Sequence, residues 1–320
     1  MIACASPDGI RWHMPCKKAV IIHNPELHGK NAFDSQNVSF WSPAEECYVC
    51  YFRTLRTPHR ELRTISRATS ADFLHWSDAV PMDPNLPGEH LYTSQTHPYF
   101  RAPHIYIALP TRYTAGRVGT EKTDAMFGST DILFMTTRAG TSKYDRLFTE
   151  AFIRPGLDPE RWGNRANYVA CGVVPTGPAE MSIYHAHSGQ RYAIRTDGFI
   201  SINAGAGQGE FITRPLIFKG HELVLNYSTS ADGIVQVEMQ SVKGEPVPGY
   251  ALNDCQPLIG DSIGQTVAWK NGPNTESLAG QTVRLRFVMK EADLFSLQFR
   301  EGRDPSKCYI ESTIITVREK

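Results

Sequence analysis

The sequence predicts an all-β protein. A β-propeller, incomplete at its N-terminus, is expected through about residue 205, and a β-sandwich over 211–320. Three observations predict it. First, ASPDGIRW (5–12) returns as TSADFLHW (69–76) with Ser, Asp and Trp in matching places, and TSKYDRLF (141–148) and AIRTDGFI (193–200) are weaker echoes. Second, pairs of strand-like runs lie between the echoes: SQNVSFW with CYVCYFRT, THPYF with HIYIALPTRY, NYVACGVV with EMSIYHAH. Multi-stranded units at such a period are propeller blades, and a sandwich would not need the recurring S-x-D-x-x-x-W. Third, the repeat stops after GFISINAGAGQGEF and strict alternation takes over, as antiparallel sheets covered on one face require.

Taken in order, MIACASPDGIRW lacks a charged-then-apolar leader and reads as a strand running into a turn. The chain is therefore expected to begin inside a structural unit, with blade material upstream. That expectation leaves its compartment open: cytoplasmic as it stands, secreted or periplasmic if longer. The first inner strand is expected in NAFDSQNVSFW, the second in GEHLYTSQTHPYF, the third in NRANYVACG. TPHRELRTISRATS (57–70) holds helix formers but falls between blade strands, so it reads as an extended hairpin arm. GAGQG reads as the linker to the second domain. Beyond it, VQVEMQ (235–240), VRLRFVM (283–289) and LFSLQF (294–299) each align apolar side chains on one face, the last through Phe295, Leu297 and Phe299, and ADG and PGY read as turns.

Lys+Arg and Asp+Glu both number 33, so no global field draws nucleic acid or an anionic membrane. No apolar run approaches the roughly 20 residues of a spanning helix. Seven cysteines (4, 16, 47, 50, 171, 255, 308) show no disulfide framework. Cys47 and Cys50 form C-x-x-C inside a strand-like run, where positions i and i+3 face opposite sides and serve packing. His185 and His187 share a strand face but lack a third ligand, so no metal is assigned. Nucleophile-elbow, P-loop and dinucleotide motifs are absent, and no cofactor is implied.

The chemistry-bearing residues concentrate in 148–187, with Glu150, Glu180, Arg154, Arg165, Asn167 and His185 among turns and short extended runs. Carboxylates with guanidinium partners in a cavity are what cleavage of a glycosidic bond requires. The inner strands of a propeller line its centre, which adds Asp34, Asn37 and Glu89. Trp41 and Trp162 offer flat faces on which sugar rings stack.

Through SPDGIRW, FDSQNVSFW, SKYDRLFTEAFIRPGLD, RWGNRANYVACG and AEMSIYHAH, covering nearly the whole chain, the sequence resembles a family-32-like group of bacterial proteins. More broadly it is similar to the invertase-like and arabinanase-like glycoside hydrolases of families 32 and 43. The resemblance implies a five-bladed propeller with a C-terminal sandwich, and a carbohydrate substrate. The invertase-like N-D-P-N-G motif is absent, and Asp34 in FDSQN is its approximate counterpart; the acid counterpart is ambiguous among Glu89, Glu150 and Glu180. Asp34, beside Ser35, Gln36 and Asn37, has donors that favour its charged form and reads as base or nucleophile. Glu180, between Ala179 and Met181, reads as the acid, an apolar wall favouring its protonated form. Asp131 would tune the acid or bind a sugar hydroxyl, and Arg154, Arg165, Asn167 and His185 would hold substrate. The expected function is hydrolysis of an oligo- or polysaccharide. The alternatives are a non-catalytic carbohydrate-binding propeller and a propeller glycoside phosphorylase. The two family branches imply opposite stereochemistry, retention and inversion, and the sequence leaves both open.

Overall fold

The computed structural model describes residues 1–29, 32–34, 36–55, 62–117 and 128–301. Among them the fold is all-β, built of several antiparallel sheets, with one four-residue helix (Pro25–His28) and short 3-10 turns. The chain divides into two compact units, Met1–Val174 with Ser182–Tyr192, and Pro175–Met181 with Ala193–Lys320.

In the first unit, β1 (Val38–Ser42), β2 (Cys47–Leu55), β3 (Arg63–Ser70) and β4 (Val80–Pro81) form a four-stranded meander in chain order. β2 is buried on both faces because its side chains alternate between two clusters. Val49 and Tyr51 join Ile65, Met82, Leu91, Tyr106 and Met135, while Cys50 and Phe52 join Ile21 and Ala68. Cys47 packs against the first cluster and Cys50 lies in the second, so the two thiols of the C-x-x-C do face opposite sides. β3 pairs with β2 from Leu55↔Arg63 to Tyr48↔Ser70, so residues 63–70 are strand; residues 57–61 of the expected arm lie outside the described residues.

Next come β5 (His90–Leu91), β6 (His97–Tyr99), β7 (Ala102–Ala108), β8 (Thr111–Thr114), β9 (Ser129–Ile132), β10 (Met135–Arg138) and β11 (Tyr144–Asp145). They form a second four-stranded sheet, β11-β10-β7-β6, and a three-stranded sheet, β5-β8-β9. A buried polar chain ties the first meander to the second. Tyr106 of β7 donates to Glu45 Oε1 (2.7 Å) and bonds Ser42 Oγ (2.5 Å), and Arg67 Nη2 donates to Glu45 Oε2 (2.6 Å). β12 (Val174–Gly177), β13 (Glu180–Tyr184) and β14 (Arg191–Arg195) make a further antiparallel sheet.

The S-x-D-x-x-x-W repeat is one turn used twice. Asp8 Oδ1 accepts from the N–H groups of Ile10 and Arg11 and from Ser6 Oγ, and Trp12 Nε1 donates to Gly9 O. Asp72 Oδ1 accepts from Leu74, His75 and Ser70 Oγ in the same way, and Trp76 Nε1 donates to Phe73 O. Even the left-handed residue matches, Gly9 at φ 74° and Phe73 at φ 69°. The weaker echoes are built differently. Asp145 lies in β11, and Asp197 accepts from Asn226 Nδ2 and Ser296 Oγ, tying its loop to two later strands.

The second unit holds β15 (Ile202–Ala204), β16 (Gly209–Ile212), β17 (Leu216–Ile217), β18 (Glu222–Gln240), β19 (Asp261–Thr266) and β20 (Thr282–Arg300). Hydrogen bonds join all six into one sheet, in which β15, β16, β17 and β18 all pair with β20. GAGQG connects β15 to β16 within this sheet. The runs expected as separate strands are portions of two 19-residue strands. The expected ADG turn is an irregularity inside β18: pairing passes from Thr229↔Ala292 to Ile234↔Lys290, so residues 230–233 face Glu291 alone. PGY is a turn, closed by Tyr250 N–H to Val247 O. In β20 Val283, Leu285, Phe287 and Met289 enter the core as the alternation predicts. Phe295, expected inside, is bypassed: pairing steps from Tyr227↔Leu294 to Asn226↔Ser296, and Leu294 is buried in its stead. Leu297 packs against the core and Phe299 lies within it. A bulge inserts one residue and shifts the faces, which alternation alone cannot show.

Candidate functional site

The three segments expected to line the centre meet within the first unit. Gln95 Nε2 hydrogen-bonds Gln36 Oε1 and donates to Val169 O (2.8 Å), joining all three. Gln95 is buried with φ 50°, a left-handed conformation that costs a non-glycine residue strain, and its Oε1 is buried without a partner among the described residues. His97, two residues on, donates from Nδ1 to Gln95 O (2.7 Å) and accepts from Val173 N–H at Nε2 (3.0 Å).

Asp34 borders this junction. Its Oδ2 accepts from Arg53 Nη2 at 3.0 Å; the arginine side chain is 3% exposed and the carboxylate side chain 65%. Two of the three residues expected to donate to it form bonds elsewhere. Asn37 Nδ2 donates to Phe33 O (2.9 Å), Gln36 bonds Gln95, and Ser35 lies outside the described residues. The Arg53 guanidinium lies 5.8 Å from the Tyr92 ring centre and that of Arg63 lies 4.6 Å from it, with Arg63 also 5.7 Å from Tyr113. Tyr92 is buried while Tyr113 and His90 are half-buried, with His90 and Tyr113 ring centres 5.8 Å apart. The antiparallel register His90↔Tyr113 sets these two rings side by side.

Beside this wall is a charge network. Arg112 holds Asp131 with two bonds, Nε to Oδ1 (2.9 Å) and Nη2 to Oδ2 (2.5 Å). Arg146 holds Glu89 with two more (2.6 and 3.2 Å), and Arg112 Nη1 lies 3.9 Å from Glu89. The structure thus brings Glu89 and Asp131 together around Arg112, each with both oxygens engaged. Arg112 Nη1 also donates to Thr149 O, next to Glu150. Glu150 is exposed and accepts from Thr149 N–H, and Arg154 and Arg165 are exposed, the latter at φ 64°.

Two residues expected to hold substrate serve the fold. Asn167 is fully buried, donating to Thr130 O and Arg161 O (2.7 Å each) and accepting from Arg161 Nε (2.8 Å). His185 is buried; Nε2 donates to Ala166 O (2.9 Å) and Nδ1 accepts from Ser188, which fixes its tautomer and occupies both nitrogens. Burial lowers its pKa, the Ala166 bond opposing this.

Glu180, in the second unit, is half-buried and accepts from Thr176 Oγ1 (2.8 Å). The apolar wall read from its sequence neighbours does not form as expected. Met181 is fully buried, but successive strand residues face opposite sides, and Ala179 is exposed. Trp41 is exposed, against Tyr48, and Trp162 Nε1 donates to Gly156 O (2.9 Å). Among the described residues no group of three His, Cys, Asp or Glu is arranged to hold a metal ion, and no helix is long and apolar enough to cross a membrane.

Sequence reasoning missed Arg53, Arg63, Arg112, Arg146, Tyr92 and Tyr113. Their partners are 19 to 57 residues distant in the ion pairs with Asp34 and Glu89, and no local motif marks such pairs. The aromatic content of the second inner strand was the available signal for Tyr92.

No protein-family model matches the chain, and no curated protein does. Among solved structures, a glycoside hydrolase family 43 arabinoxylan arabinofuranohydrolase from Bacillus subtilis, in complex with cellotetraose, aligns over 92% of this chain and 72% of its own. The identity is 13% and the TM-score 0.34, a likeness too distant to assign this chain a family or an activity.

Proposed function

We propose that the chain is a glycoside hydrolase of the five-bladed propeller type, with Asp34 as base or nucleophile and Glu180 as acid. The observation that carries the reading is the Asp34 carboxylate, largely exposed and held from behind by the buried Arg53, whose guanidinium flanks the same Tyr92 ring as Arg63 in the wall that Tyr113 and His90 continue. A sugar offers hydroxyls to a charged acceptor and apolar ring faces to aromatic side chains, and this wall supplies both. The charge-assisted bond from Arg53 fixes the position of the Asp34 carboxylate, as a base or nucleophile needs. Thr176, donating to Glu180, orients the second carboxyl group.

A second reading, a carbohydrate-binding propeller without turnover, draws on the network beside the wall. Glu89 and Asp131 are both consumed by arginines, which removes two carboxylates from acid–base work.

Aryl-glycosides and plant, algal and microbial oligosaccharides, offered with and without phosphate, test these readings. Asp34→Asn and Glu180→Gln are each expected to lower turnover by about 10²–10⁴-fold with folding retained. Loss in Asp34→Asn alone would move the acid to the exposed Glu150. Binding without turnover supports the second reading, and turnover only with phosphate supports a phosphorylase. The anomeric form of the first product, followed by NMR, decides between retention and inversion.

A further inference from the structure

Among the described residues Arg63 is a cation without a counter-ion. Its backbone N–H and Nη1 both lie 3.3 Å from His90 Nδ1, and its guanidinium faces Tyr92 and Tyr113. No acidic side chain among the described residues lies within ion-pair distance, Nη2 has no partner among them, and Nε is buried without one. The neighbouring charges among the described residues are already matched. Arg53 is neutralised by Asp34, and the adjacent group of Arg112, Arg146, Glu89 and Asp131 balances two against two. His90 adds nothing at neutral pH, since burial and then the Arg63 charge lower its pKa. Among the described residues the wall therefore carries one net positive charge, on a planar fork set beside aromatic faces.

We propose that the site takes an acidic saccharide, and that Arg63 reads the carboxylate of a uronate residue whose ring lies on the Tyr113 and His90 side of the wall. This rests on the carbohydrate reading above and names its substrate class. A planar carboxylate matches the guanidinium fork in shape, and a monoanion matches the single unspent charge. A phosphate dianion would leave about one negative charge unmatched at the wall. The partial occupation of Nη1 by His90 leaves Nη2 as the principal donor, with His90 orienting the fork through its Nδ1.

Isothermal titration calorimetry of the full chain with tetrasaccharides of galacturonate, glucuronate, mannuronate and guluronate, each beside its carboxyl-reduced counterpart, tests this directly. At least one acidic oligosaccharide is expected to bind about 10- to 100-fold more tightly than its reduced partner, and Arg63→Met to erase that difference. Arg63→Lys keeps the charge but not the fork and is expected to fall between the two. The wild-type contrast stands even where Arg63→Met fails to fold, as near-UV circular dichroism would reveal. Equal binding of acidic and reduced oligosaccharides overturns the proposal and leaves the carbohydrate reading standing. So does preference for a sulfated galactan oligosaccharide over every uronate. Binding of inorganic phosphate alone, or of no saccharide at all, overturns both.

Discussion

Asn167 spends its whole amide inside the protein: two carbonyls receive its Nδ2 protons and Arg161 Nε donates to its Oδ1. Its backbone N–H also reaches Thr130 Oγ1 (3.1 Å), so one side chain and its amide fasten the 161–167 loop to β9. Asn167→Ala would leave buried donors and acceptors unpaired, and the expected cost is about 2–4 kcal/mol in urea unfolding. If Asn167 instead served substrate alone, the variant would keep its stability and lose only affinity. From sequence, a polar residue opening an expected inner strand reads as a ligand contact. That the same amide bonds Arg161, six residues back, and Thr130, 37 residues back, cannot be seen in a linear pattern. The Cys47–Cys50 reading succeeded for the opposite reason, because strand alternation is local and needs no knowledge of partners.

At the scale of elements, the turns and strands that obey short-range rules were legible. The Ser-x-Asp-x-x-x-Trp turn is made wholly from bonds within eight residues, and both strong copies fold alike. Irregularities were hidden, since what makes them lies on the partner strand. At the kink of β18, a Cβ built on Gly233 would meet Glu291 O at 2.3 Å and Thr229 Cβ at 2.8 Å, and Glu291 itself stands at φ 40°. A carbonyl oxygen cannot step aside as a flexible side chain can. Gly233→Ala is therefore expected to destabilise the second unit by about 2–3 kcal/mol, whereas alanine at Gly207, which meets nothing within 4 Å, should be nearly neutral. Thermal unfolding of the two variants side by side checks the contrast.

Over the whole molecule, His28, His90, His97, His104 and His185 share one electrostatic character: burial is the foremost cause that lowers the pKa of each. The unfolded chain then binds protons that the native state refuses, starting near the ordinary imidazole value of about 6.5. Stability is thus fully present above that pH and is lost as the pH falls below it towards the lowered native values. Melting temperature measured from pH 8 to pH 5 should fall on the acid side, and a flat profile would contradict the assignment. The all-β class and the convergence of three distant inner segments were readable, because composition, repeat and alternation are properties of the entire chain. The arginine-rich wall was not, since it arises only when strands far apart in sequence come into register.

The bypassed Phe295 has a consequence for how this chain tolerates changes of length. Along β20 the residues that join the core cluster fall on odd numbers through Met289, on even numbers at Ala292 and Leu294, and on odd numbers again at the partly buried Leu297 and at Phe299. Phe295 is a supernumerary letter in that text. Removing it would leave every other residue in its present frame and let Leu294 and Ser296 continue the ladder opposite Tyr227 and Asn226. The contact of its ring with Arg195, whose guanidinium lies 4.7 Å away, would be lost. Deleting Val288 instead would exchange inside for outside along one arm of the strand. Soluble expression is expected to survive the first deletion and not the second, so a single position in this sheet can absorb an evolutionary indel that its neighbours cannot.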